Sequence, residues 1–281
     1  MRTVLAALDN TAAARPVLDA ALGLAELIGA SVEAIHVRDG ATDTPEALAE
    51  RHAVPLRLLD GPVGPTLLSA IDASEITAAV LGARSLPGDH RPMGTTALDV
   101  AQRTLKPVLI VTPEASEHVS VPFRRLLLPL EGLQQSSRPV VETLLPLLAE
   151  DVELVMLHVF TPTTTPKFLD RPGPDLELLG DELRCRHCPA ATKIELRTGT
   201  VGRRVEEVSG EDEIDLIVLA WSQTMEEGHA AVVRDVLVRS EVPVLLLPVT
   251  AEPLGPVPSR SEDPGGVRRT FDTGPDPDAG V

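Results

Sequence analysis

The chain has 281 residues, room for about two domains at the usual ~150 residues each. Hydrophobic residues make up 43% but aromatics only 2%, with one Trp and no Tyr, so the cores are expected to be aliphatic. A formal net charge of −17 repels a phosphate backbone, and aromatic platforms for stacking on single strands are scarce, so nucleic-acid binding is not expected.

Thr3 to Leu8 is a short apolar run that predicts a first strand. Asn10 and Thr11 are placed to cap the following helix, Pro16 suits its first turn, and Leu18, Leu22, Ala25 and Ile28 recur at helical spacing up to Gly29. Ser31 to Val37 predicts a second strand, with a short helix near Pro45 to Arg51. Leu56 to Asp60 predicts a third strand, followed by a helix from about Val63 to Ala73. Ile76 to Leu81 is the fourth strand; a loop from Ala83 to Met93 precedes a helix over Thr95 to Leu105, and Pro107 to Val111 closes the unit. Strands that are apolar almost throughout and alternate with helices imply a parallel sheet covered on both faces. Right-handed crossovers make such a sheet doubly wound and open.

The same blocks then recur in the same order. Arg2–Asp9 aligns with Arg124–Glu131, and Val32–Val37 with a segment ending in His158 and Val159. Leu58–Gly64 aligns with Leu196–Gly202, Ile76–Ser85 with Ile214–Ser222, and Thr104–Pro113 with Arg239–Val249. The expected organisation is therefore two tandem α/β copies, over 1–115 and 123–250, joined by a short linker near Glu114 to Pro122. The remainder, 251–281, is dominated by Pro, Gly, Ser, Asp and Arg and is expected to be disordered. No run nears the ~20 apolar residues of a membrane span. The apolar start is cut short at Asp9, and two cysteines give no disulfide framework, so a cytoplasmic location is expected.

Open parallel sheets receive ligands beyond the carboxyl ends of their strands. In the first copy the residues at those ends are Asp9, then Val37 with Arg38, then Gly82, whose loop leads to Gly94, Thr95 and Thr96 at a helix start. A helix N-terminus offers free amides to an anion, and Asp9 is suited to accept from an exocyclic amine or a ribose hydroxyl. Each also has a plainer role. Asp9, Thr95 and Thr96 serve equally as helix caps, and Gly82 and Gly94 as turn residues. His36 and His158, matched at strand ends, read as satisfied structural histidines. Cys185-Arg-His-Cys188 falls short of the four ligands of a zinc site.

The strand ending in Asp9, the His36-Val37 strand end, Gly61, and Gly82 with its loop to Gly94-Thr95 together resemble the universal stress protein family, twice over, as far as about Val249. That resemblance implies two five-stranded, doubly wound sheets of the adenine nucleotide alpha hydrolase-like or Rossmann-like kind, with strand order 3-2-1-4-5. It implies a regulatory module with at most weak ATPase activity, holding ATP or AMP, with Mg²⁺, at Asp9, Val37, Gly82, Gly94, Thr95 and Thr96. It also implies pairing of the two copies through their last strands, Val108 to Val111 and Val244 to Leu247, and association into a homodimer.

The family's nucleotide motif is Gly, two residues, Gly, nine residues, then Gly with Ser or Thr. Gly82 fits the first position and Gly94-Thr95 the last; Ser85 replaces the middle Gly, Gly88 follows in the loop, and the spacer is one residue short. The second copy departs further. Glu131 replaces the Asp, Ala220 the strand-four Gly, Gln223 the second Gly and Ala230-Ala231 the final pair. Met225-Glu226-Glu227 adds negative charge there, and the bulky Trp221 follows Ala220, so this copy is expected not to bind. Phosphate-loop, dinucleotide and Gly-x-Ser-x-Gly signatures are missing, which leaves a nucleotide-independent interaction module as the second reading and a slow ATP hydrolase as the third.

Overall fold

Branched aliphatic runs become strands because stiff side chains pack well on a pleated surface. In the computed structural model these are β1 (Thr3–Ala7), β2 (Ser31–Val37), β3 (Leu56–Leu59), β4 (Ile76–Gly82) and β5 (Val108–Val111). Between them lie α1 (Ala14–Ile28), α2 (Asp43–Arg51), α3 (Val63–Ile71) and α4 (Thr95–Arg103). A 3₁₀ turn at Ala115–Glu117 leads to β6 (Arg125–Leu130), β7 (Glu153–Phe160), β8 (Lys193–Thr198), α5 (Val201–Glu211), β9 (Leu216–Trp221), α6 (Ala231–Arg239) and β10 (Val244–Pro248). The structure describes residues 2–38, 42–83, 94–117, 119–130, 151–160, 177–181, 183, 193–224 and 231–248. All belong to one compact unit, Met1–Val249. The tail 251–281, the Ser85–Gly88 loop, Glu131, Cys185, Cys188 and 225–230 lie outside the described residues.

The strands form one sheet in the order β3-β2-β1-β4-β5-β10-β9-β6-β7-β8. Read from either edge inward, each half runs 3-2-1-4-5, and every pairing inside a half is parallel. The two expected five-stranded sheets are thus fused into a single ten-stranded one. Their seam is antiparallel, with Ile110 opposite Val244, Leu109 opposite Leu245 and Val108 opposite Leu246. A parallel pair needs a crossover connection, whereas two strands brought together by rotation of similar halves meet antiparallel.

Strand alternation divides the core between the faces. Val4, Ala6 and Ala34 pack with Leu18 and Leu24 of α1. Leu5, Ile35 and Val37 pack on the opposite face with Leu67 of α3 and Val100 of α4, in a cluster that continues to Val205 of α5 and Val233 of α6. Leu109 is fully buried and Leu245 nearly so, and each such leucine contributes about 1.5–3 kcal/mol of burial. The seam is core.

One capping assignment changes. The residue before α1 is Ala13, which makes no side-chain cap. Asn10 turns the other way, its Oδ1 accepting the Thr44 N–H at 3.1 Å in the first turn of α2. Residues 8–13 separate β1 from α1, and within that interval the Asn10 amide turns towards the neighbouring helix.

Candidate functional site

The chain reverses its direction of winding between β1 and β4, and the carboxyl ends of these strands diverge there into a crevice. A cavity of about 380 Å³ fills it, within the ~300–1,000 Å³ typical of small-molecule sites. Asp9, Val37, Gly82, Gly94, Thr95 and Thr96, the six residues singled out from sequence, all line it. Ser85 and Gly88, between Gly82 and Gly94, fall outside the described residues.

Each wall follows from the local fold. Asp9 lies two residues past the end of β1 and is exposed; its Oδ1 accepts from the Thr11 N–H at 3.1 Å and the Thr11 hydroxyl at 2.5 Å, which fixes the carboxylate at the rim. Val37 ends β2 and contributes, with Val63 and Leu67 of α3 and Leu81 of β4, an apolar floor. Gly82 closes β4 where α1 passes near: a Cβ there would lie 3.3 Å from Val17 Cγ2. Gly94 is the N-cap of α4 with no side-chain cap, and the first turn holds no acidic residue. The amides of Thr95, Thr96 and Ala97 therefore have no intrahelical acceptor, and the positive end of the helix dipole faces the cavity. Asp9 is the one charged side chain among the described lining residues.

His36 was legible only as a structural residue, and its position is more specific than that. It is 2% exposed and lines the cavity. Its Nδ1 lies 2.8 Å from the Leu8 carbonyl. A carbonyl only accepts, so Nδ1 carries a hydrogen. Its Nε2 is buried without a hydrogen-bond partner. Thr112, Pro113 and Ser116, beyond β5, complete the wall and were also missed. The Thr112 hydroxyl donates to the Ser240 carbonyl at 3.0 Å, a contact from the other half of the chain that no local pattern announces.

The corresponding place in the second half is built differently. Trp221, at the end of β9, is 1% exposed and its indole N–H donates to the Ala101 carbonyl of α4 at 2.9 Å. Gln223, at φ 62°, donates through Nε2 to the Thr104 carbonyl at 2.6 Å. Among the described residues no cluster of three or more His, Cys, Asp or Glu is placed to hold a metal, and no helix is long and apolar enough to cross a membrane.

Fold and crevice together define a doubly wound α/β protein with a cavity at its switch point. Residues 122–248 match the model of the universal stress protein family. The fold extends the likeness across both halves. A universal stress protein from Archaeoglobus fulgidus is similar over 88% of this chain and 96% of its own, at 14% identity and a TM-score of 0.58. A functionally unknown protein from Pseudomonas aeruginosa is similar over 88% of this chain and 92% of its own, at 10% identity and a TM-score of 0.63. No curated protein matches the sequence.

Proposed function

We propose that the chain is a tandem universal stress protein, with copies over 1–115 and 123–250, that takes an adenine nucleotide in the pocket of its first copy. The convergence of Asp9, Val37, Gly82, Gly94, Thr95 and Thr96 on one cavity carries this reading. The adenine would lie on the apolar floor of Val37, Val63 and Leu67. Asp9 would accept from a ribose hydroxyl. Phosphate oxygens would meet the free amides of Thr95 to Ala97, where the helix dipole favours negative charge. Mg²⁺ would travel with the phosphates of ATP and lower their charge beside Asp9. Occupancy itself is the signal in this reading; it needs no turnover.

The test is a thermal melt of the full chain with millimolar ATP or AMP and Mg²⁺. A ligand that binds only the folded state adds about 2.7 kcal/mol at a hundredfold excess over its Kd. The expected result is a rise in Tm that disappears in Asp9→Ala and in Gly94→Trp, which would place an indole at the mouth of α4. Unshifted melts with both nucleotides would overturn the reading and favour a surface-mediated interaction module.

A further inference from the structure

The last turn of α4 poses a hydrogen-bonding problem that is solved from the other half of the molecule. A helix leaves its final carbonyls without internal donors. In α4 the Val100 carbonyl takes the Thr104 N–H at 3.0 Å. The carbonyl of Ala101 is taken by the Trp221 indole at 2.9 Å, and those of Gln102 and Thr104 by the Gln223 amide at 3.4 and 2.6 Å. The donors are separated from their acceptors by more than a hundred residues. Both stand where the second copy, by alignment with the first, would have opened a pocket of its own.

Three features mark this as a built clamp. Trp221 is among the largest fully buried side chains, in one apolar cluster with Ala97, Val100 and Ala101 of α4 and with Leu81 and Ala83 beside the first-half cavity. Gln223 holds a left-handed backbone at φ 62°, which a non-glycine residue adopts only when its surroundings fix it. The opposite wall is tied down as well: pocket-lining Thr112 is fully buried and bonded to the Ser240 carbonyl just beyond α6.

The other end of α4 is the phosphate side of the cavity. Nine residues at ~1.5 Å each make a short, stiff rod, so fixing its C-terminus fixes where Gly94 to Ala97 point. We propose that Trp221 and Gln223 are positioning residues for the first-half pocket: the site lost from the second copy has become a brace that sets α4 for ligand in the first. The proposal rests on the nucleotide reading of that pocket, and it makes the second copy a working part of the site.

The experiment uses the full chain, wild type and the variants Gln223→Ala and Trp221→Phe. ATP and AMP with Mg²⁺ are titrated by calorimetry, emission of the sole Trp is followed in the titrations of wild type and Gln223→Ala, and backbone amide exchange over 95–104 is measured without ligand. The brace predicts a saturable change in Trp221 emission at the calorimetric midpoint. It further predicts Kd about fivefold weaker in Gln223→Ala, and faster exchange over 95–104 in that variant while exchange in β6 to β8 is unaltered. A purely structural interface would change none of the ligand readouts. Nucleotide that binds all three proteins equally, without an emission change, overturns the proposal. If wild type binds neither nucleotide, the function reading fails by itself; exchange then decides the brace, and equal rates over 95–104 in wild type and Gln223→Ala reject it.

Discussion

Gly61 and Gly199 occupy matching places in the two halves, each between the third strand of its half and the helix that follows. Their φ angles are 129° and 124°, a region L side chains rarely enter. A Cβ on Gly61 would also lie 2.9 Å from the Thr66 hydroxyl. Gly61→Ala and Gly199→Ala are each expected to destabilise the protein by about 1–3 kcal/mol in urea unfolding. Gly210, inside α5 with open space around it, should behave oppositely: Ala there is expected to stabilise by about 0.5–1 kcal/mol. A neutral Gly199→Ala would contradict the strain argument. The glycine pair was legible because alignment of the repeats set the two side by side. His36 was legible only in part: a sequence shows a histidine at a strand end, but not that one ring nitrogen is satisfied and the other is buried without a hydrogen-bond partner.

At the scale of elements, hydrophobic period located the strands and helices of the first half to within a few residues, because strands buried on both faces read as continuous apolar runs. Caps were harder. Asn10 precedes α1 in sequence, yet its side chain serves α2, since a cap needs only an oxygen within reach of a first-turn amide. Asn10→Ala is therefore expected to cost about 1 kcal/mol and to speed amide exchange in 44–51 while leaving α1 unchanged. Faster exchange in the first turn of α1 instead would show that the residue caps its own helix. Trp221 and Gln223 show the same limit over a longer range. From sequence they read as obstructions to phosphate; their hydrogen bonds to α4 depend on a docking of halves that no local pattern encodes.

For the whole molecule, the repeat gave the duplication, and the resemblance gave the strand order of each half and the strands through which the halves meet. The register of that seam was not readable, because Val-Leu-Ile-Val and Val-Leu-Leu-Leu offer aliphatic side chains at every position and slide past one another without penalty in composition. The consequence of docking is asymmetric. Similar halves share one sheet and one continuous cluster across α3 to α6, yet the first keeps an open cavity at its switch point while the matching strand end in the second carries a buried indole.

That asymmetry makes a single number decisive. Isothermal titration of the full chain with ATP and with AMP, in the presence of Mg²⁺, reports how many nucleotides each chain holds. One per chain is expected, with none retained by Gly94→Trp. Two per chain would show that the second copy binds despite Trp221, and none would remove the nucleotide from the function of this fold.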